Sequence, residues 1–375
     1  MSQILKEKEE VKKSPKKSVK KNKKKINILK KLLITLIILI ILGSGVVAFL
    51  LYGPYSGFRD WYITSAMTTM THQWLAYLFF DEDTVEAVLG DNRVEEIVED
   101  TDVDTIVIAS ENEKQKEEEQ NKEPQYANEF EKEILEKDEG NDDYKIIEIS
   151  GKGYSGYLAA VYNPSKIHTL VTAKLGKTGQ YLTTMAKDNK AKLAINGGGF
   201  YDPGHNSNGA SPLGVTYVKG KMVTNYEYLG SGGIIGFNKD DKLVLSTDCT
   251  EEFAEAANIR DCVTCGPFLI VNGKASTVVG NGGWGTAPRT AIGQRKDGVV
   301  LFLVIDGRTL KRPGADMDDL IEIMERYGAY NAANLDGGTS TVMVVDYKMI
   351  NDPIDSTGAH KTRFISTGFG VIDEE

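Results

Sequence analysis

From Leu32 to Leu51 the chain reads LLITLIILIILGSGVVAFLL, twenty positions without a charge. At 1.5 Å per residue a helix of that length spans about 30 Å, the hydrocarbon thickness of a bilayer, so the pattern predicts a membrane helix over 32–52. Beyond it, Ile63, Met67, Met70, Trp74 and Leu78 recur at steps of three or four, which predicts one amphipathic helix over 56–80. Such a helix suits the outer leaflet or the face of a packed partner. Residues 81–143 are acidic and poor in aromatics, culminating in ENEKQKEEEQNKEPQ. They are expected to form an extended linker, with Val103–Ile108 as a short strand-like or helical interruption.

At Tyr144 the pattern changes to β-branched and aromatic residues punctuated by glycine, and the globular domain is expected to occupy 144–375. Short apolar runs predict strands at Tyr157–Tyr162, Leu193–Ile195, Gly214–Tyr217, Gly233–Phe237 and Leu243–Leu245. The same signal predicts strands at Phe268–Val271, Thr290–Gln294, Val299–Ile305, Ala332–Leu335 and Thr341–Val345. Helices are predicted at Thr178–Asn189 and at Asp316–Tyr327, the second with an acidic first turn and Gly328 as its stop. Many short strands with two helices argue for an α+β domain on mixed or antiparallel Gly-rich sheets.

Charge gives the chain a direction. Residues 1–31 hold thirteen lysines against three glutamates, so a formal net charge of −10 leaves about −20 for the rest. With the lysines before the apolar run and Tyr52 and Tyr55 after it, the positive-inside rule puts a basic tail, 1–31, in the cytoplasm and the domain outside. A cleaved secretory signal is the alternative, which also exports the domain; the apolar run exceeds the usual signal length of roughly 7–15 residues. So acidic a body repels nucleic acid.

Cys249, Cys262 and Cys265 all fall in the exported part, where a disulfide from Cys249 to Cys262 or Cys265 is expected. The CxxC of 262–265 has no second pair, so zinc is not implied.

Four segments share one grammar, a Gly-containing turn with a polar residue against an apolar strand. They are 194–202 (AINGGGFYD), 265–270 (CGPFLI), 304–308 (VIDGR) and 334–341 (NLDGGTST). Asn-Gly and Asp-Gly are also common turn dipeptides. Asp306 and Asp336, however, each end an apolar run, where an unpartnered carboxylate is costly. Two carboxylates at strand ends are the equipment of glycoside cleavage.

Arg289 precedes a strand and Arg308 follows Asp306 by two; a guanidinium fork fits phosphate, and an internal Asp–Arg salt bridge is the other use. Gly337-Gly338-Thr339-Ser340-Thr341 offers amides and hydroxyls to an oxyanion but lacks a P-loop lysine. No GxSxG occurs, which weakens a serine-hydrolase reading. His205, in the loop after the first Gly-rich turn, is a minor candidate, and His168 and His360 read as structural or surface residues. No cofactor is implied, although Asp202, Asp306 and Asp336 are hard ligands of the kind that gathers a divalent cation.

The order NGGGF, GPFLIVNGK, PRTAIG with VLFLVIDGR, and NAANLDGGTSTVMV resembles the phosphodiester glycosidase family, over about 145–372. That family includes the lysosomal uncovering enzyme and bacterial proteins linked to exopolysaccharide. The resemblance implies hydrolysis of a sugar-1-phosphodiester, typically of N-acetylglucosamine, with a phosphodiester-linked glycan or wall polymer of the cell envelope as partner. It marks Asn196-Gly197-Gly198, Gly266-Pro267, Arg289-Thr290, Asp306-Gly307-Arg308 and Asp336–Thr341 as the site.

Asp306 and Asp336 would then do acid/base or charge-stabilising work. Arg289 and Arg308 would hold phosphate, and Asn196 a sugar hydroxyl or acetamido group. Gly199 and Thr339 depart from the commoner NGGFF or NGGYF and DGGGS. A polymer-binding module without activity, and a phosphodiesterase cutting P–O, are the other readings.

Overall fold

The computed structural model describes residues 14–68, 72–108, 125–202, 207–355 and 357–373. The chain divides into two compact units, Met1–Tyr62 and Ile63–Glu375. In the first, one helix runs over Ser14–Tyr52. Its part from Asn27 to Tyr52 is long and apolar enough to cross a membrane, with exposed side chains from Asn27 to Leu50. So much uncovered Leu and Ile is stable only against an apolar surround.

The second unit is α+β, with antiparallel strand pairing throughout the sheets described. Its strands begin with β1 (Arg93–Glu95), β2 (Tyr144–Gly151), β3 (Tyr154–Val161), β4 (Ile167–Val171) and β5 (Ala191–Asn196). There follow β6 (Val215–Val218), β7 (Lys221–Asn225), β8 (Gly233–Asn238), β9 (Leu243–Ser246) and β10 (Ile259–Cys265). Next come β11 (Phe268–Val271), β12 (Lys274–Ala275), β13 (Thr277–Val279), β14 (Arg289–Arg295) and β15 (Val300–Asp306). The last are β16 (Ala329–Asn334), β17 (Met343–Val345), β18 (Lys348–Met349) and β19 (Thr367–Ile372).

A seven-stranded sheet has the order β12-β11-β16-β14-β15-β3-β2, and two five-stranded sheets have the orders β7-β6-β10-β8-β9 and β18-β17-β5-β19-β4. Strand β15 explains the unbroken apolar run seen in the sequence. Its Val300, Phe302 and Val304 join one core with Leu193, Phe237 and Phe369, while Leu301, Leu303 and Ile305 join another with Leu320, Ile323 and Met324. Both of its faces are buried, so no polar alternation survives.

The helix Met317–Arg326 supplies that second core. Asp316 accepts from the Asp319 amide at 3.0 Å and Asp319 accepts from the Asp316 amide at 3.1 Å, a reciprocal cap that fixes the helix start.

Several segments differ from their sequence patterns. Strand β10 was hidden by Arg260 and Asp261. Buried Asp261 is satisfied by Arg260 Nη1 at 2.6 Å, the Thr169 amide at 2.9 Å and His168 Nδ1 at 2.9 Å, so polar residues sit inside a strand. The stretch 56–80 is two helices, Ser56–Thr68 and Trp74–Phe79, with 69–71 and so Met70 outside the described residues.

The acidic stretch 81–143 also carries a helix at Glu82–Asp91, strand β1 paired with β13, and a helix at Glu129–Leu135. Ile106 and Ile134 within it are fully buried. A few well-placed aliphatics overcome an acidic average, because burial acts residue by residue. Its most charged part, 109–124, lies outside the described residues.

The expected disulfide is absent: Cys249, Cys262 and Cys265 are all free. Cys262 and Cys265 lie three apart on β10 and pack into different cores, as odd spacing in a strand requires.

Candidate active site

Antiparallel register brings the motifs to one end of the large sheet. Arg289 pairs with Ile305 and Ala291 with Asn334, so the start of β14, the end of β15 and the end of β16 emerge together. Thus Arg289, Asp306 and Asp336 share one edge. The end of β5 meets them from the neighbouring sheet, and the join is made by Asn196. Its Nδ2 donates to the Asp336 carbonyl at 2.6 Å, and its Oδ1 accepts from Thr290 Oγ1 at 2.7 Å and from the Val342 amide at 3.0 Å. Asn196 is 1% exposed and both ends of its amide are engaged by protein, so the geometry makes it a rivet between sheets rather than a sugar ligand.

The Gly-rich turn beside it follows from close approach. The Gly198 amide donates to Thr367 Oγ1 at 3.1 Å, and a Cβ at Gly198 would stand 2.4 Å from the Thr264 carbonyl oxygen. The Asp336 amide donates to the Gly197 carbonyl at 3.1 Å. Gly338, at φ +63°, opens the 3₁₀ turn Gly338–Ser340, and a Cβ there would meet Arg308 Nη2 at 2.9 Å. Thr339 and Ser340 are therefore presented on a turn whose positive φ favours glycine, with the Arg308 guanidinium close over it.

Two guanidiniums face this turn. Arg308 Nη1 donates to Thr339 Oγ1 at 2.8 Å and to the Ile354 carbonyl at 2.7 Å. Arg363 Nε donates to Ser340 Oγ at 2.7 Å, Nη1 to Asp202 Oδ2 at 3.2 Å and Nη2 to Asp336 Oδ2 at 3.2 Å. Its guanidinium stacks 4.5 Å from the centre of the Phe200 ring. Burial, and after it the charge of Arg363, push the Arg308 guanidinium below its ordinary value. The two cations thus feel each other across the turn.

Arg289 serves differently from expectation. It is buried, and it donates from Nη2 to the Trp284 and Gly285 carbonyls at 2.5 and 2.7 Å and from Nε to the Ala315 carbonyl at 3.3 Å. Burial lowers it to about 10. Its Nε and Nη2 thus pin the loop 284–285 behind the site, while Nη1 would lie 3.7 Å from a Cβ at Gly337, next to Asp336.

Asp306 Oδ1 accepts from Asn351 Nδ2 at 2.9 Å and from the Asp352 amide at 3.0 Å. Burial pushes its carboxyl above the usual carboxylate range, against the pull of those two bonds. A carboxyl so placed at a strand end has the chemistry for proton transfer.

Arg363, Asn351 and the pairing of Asp202 were missed in the sequence. Arg363 sits in KTRFIST with no motif around it. It reaches the site because β19 pairs with β5, Gly368 opposite Asn196, and only the pairing reveals that. His205 lies outside the described residues, His168 is buried against Asp261, and His360 is exposed beside Asp352 at 2.8 Å. Among the described residues no group of three or more His, Cys, Asp or Glu side chains is gathered for a metal ion, so Asp202, Asp306 and Asp336 do not form one.

A prophage-derived protein of Bacillus subtilis strain 168, itself uncharacterised, is 28% identical over 180 residues, which cover 46% of this chain and 27% of that relative. The chain thus matches about a quarter of that relative's length. The solved catalytic domain of zebrafish N-acetylglucosamine-1-phosphodiester alpha-N-acetylglucosaminidase is 23% identical, with a TM-score of 0.48 over 62% of this chain and 83% of that one. Residues 189–372, which carry every motif described above, match the model of the phosphodiester glycosidase family.

Proposed function

We propose that the protein is a membrane-anchored extracellular hydrolase that cleaves the sugar C–O bond of a sugar-1-phosphodiester in surface polysaccharide or wall polymer. The observation that carries this reading is the meeting of Arg308 and Arg363 at Thr339 and Ser340, beside the Asp336 carboxylate. Two guanidiniums and two hydroxyls form a seat for a phosphodiester, whose negative charge relieves their mutual repulsion. Asp336 then flanks the sugar carbon that becomes electron-poor.

In this mechanism the C1–O bond breaks and its electron pair leaves on the phosphate oxygen, held by Arg308 and Arg363. Asp336, oriented by Arg363, stabilises the oxocarbenium-like centre. Asp306 takes the proton of the attacking water, whose oxygen joins C1. Asn196, Thr290 and Arg289 hold this framework from behind, Gly197 and Gly198 allow the sheets to close, and Gly337, Gly338 and Thr341 complete the turn. N-acetylglucosamine as the sugar follows the family resemblance.

The anchor is the apolar helix Asn27–Tyr52, with the lysines of 1–31 on the cytoplasmic side and the acidic domain outside. The division 1–31, 32–52, 56–80, 81–143 and 144–375 describes tail, anchor, juxtamembrane helices, acidic segment and catalytic domain in this reading. Nucleic acid is not a partner of so acidic a body.

The test incubates the full chain in detergent with an α-N-acetylglucosamine-1-phosphodiester, with and without chelator, beside Asp336→Ala. Free sugar released by the wild type alone is expected, with ¹⁸O from labelled water entering the sugar. Label in the phosphate would instead mean P–O cleavage, and polymer binding without any release would mean a binding module.

A further inference from the structure

Glu96 lies in the acidic stretch, outside the family match, yet it is built into the site's support. Its Oε1 accepts from the Gly232 amide at 3.0 Å and its Oε2 from the Phe268 amide at 2.7 Å. Its neighbours on both sides are fixed: Glu95 pairs with Thr277 in the β1–β13 ladder, and the Ile97 amide donates to Ser276 Oγ at 3.3 Å. The two turns it joins are in backbone contact. A Cβ at Gly266 would stand 2.2 Å from the Ser231 carbonyl oxygen and 2.5 Å from Gly232 Cα.

The joined turn leads directly to the site. The Gly266 carbonyl accepts from Asn334 Nδ2 at 2.7 Å, and the Pro267 carbonyl accepts from the Asn334 amide at 2.9 Å. Two residues on is Asp336. The segment 265–268 is thus held on one side by Glu96 and grips the strand end bearing Asp336 on the other.

Anchoring the acidic segment does not need a half-buried carboxylate, since an aliphatic side chain would bury there at lower cost. What the carboxylate alone provides is two acceptors matched to two amides on either side of one contact. Burial pushes its carboxyl above the usual range while those two amides pull it down.

We propose that Glu96 is a positioning residue of the active site, acting through Gly232 and Gly266–Phe268 on Asn334 and Asp336. The proposal rests on the glycosidase reading for its kinetic arm only. The experiment compares full-length wild type, Glu96→Gln and Glu96→Ala in detergent, by steady-state release of sugar from an α-N-acetylglucosamine-1-phosphodiester and by amide hydrogen exchange. Glutamine keeps the volume but only one acceptor, which guards against a variant that does not fold. The expected result is a kcat at least tenfold lower with KM within twofold of wild type, and faster exchange at 334–337 together with 232, 266 and 268.

An unchanged kcat per folded molecule would overturn the role. If the wild type releases no sugar, the glycosidase reading falls and exchange decides alone. Loosening that spreads to 334–337 then supports positioning, and loosening confined to 232 and 268 reduces Glu96 to a structural anchor.

Discussion

Arg363 Nη2 lies 3.2 Å from Asp336 Oδ2, and the same guanidinium reaches Asp202 and Ser340. One side chain thereby orients the Asp336 carboxylate and the Ser340 hydroxyl together. Lysine has the charge but not the fork. Arg363→Lys is expected to lower kcat/KM about a hundredfold, roughly 3 kcal/mol of transition-state stabilisation, with little change in melting temperature. Kinetics beside a thermal melt checks it; near-normal activity would remove Arg363 from the site.

Asp306 gives a prediction with opposite signs for activity and stability. Its folded value lies above its ordinary one through burial, so stability associated with it is fully present below the ordinary carboxylate range and lost as pH rises through the folded value. Asp306→Asn should therefore abolish sugar release yet melt higher than wild type at neutral pH, with the gain fading on acidification. Asn351→Leu, by removing one bond that lowers Asp306, should move the acid limb of kcat/KM to higher pH. A limb that does not move would assign it to another group.

The Asn196 rivet should be worth more to the fold than to substrate binding. Asn196→Ala leaves the buried Val342 amide, the Thr290 hydroxyl and the Asp336 carbonyl without their partner. The expected loss is about 2–4 kcal/mol by urea denaturation, from unsatisfied buried groups at roughly 1–3 kcal/mol each. A loss of activity at full stability would restore Asn196 as a ligand.

A fragment beginning at Tyr144 lacks β1, Glu96, Ile106, Ile108 and Ile134, of which Ile106 and Ile134 are fully buried. It is expected to melt well below a fragment beginning at Ile63, or to aggregate through the uncovered surface. Equal melting curves would mean that 81–143 is dispensable.

Thiol counting tests the cysteines. Three titratable thiols are expected in denaturant without reductant. Under native conditions Cys265, buried and pushed up to about 12, should not react. A single thiol in denaturant would indicate a disulfide.

The strands that flank the motifs were legible because burial on both faces leaves long apolar runs, as in β15, and because glycine and aspartate mark their ends. What was hidden depends on partners far away in sequence. Strand β10 carries a charge that Arg260, His168 and the Thr169 and Lys219 amides make tolerable. The acidic segment looked unable to order itself because composition averages over residues, while Ile106 and Ile134 find cores that other segments build. Among the site residues, Asp306 and Asp336 announced themselves at strand ends. Arg363 did not, since its place follows from the β19–β5 register, and Arg289 announced a charge whose Nε and Nη2 are taken by carbonyls.

Strand β19 lies between β5 and β4, although it follows both by well over a hundred residues in chain order. In the sheet that carries Asn196, β4 therefore joins β5 only through Thr367–Ile372. Arg363, just ahead of that strand, arrives with it. Joining of β4 to β5 and placement of the guanidinium beside Asp336 thus depend on one strand, and both rest on contacts far apart in sequence, which form slowly.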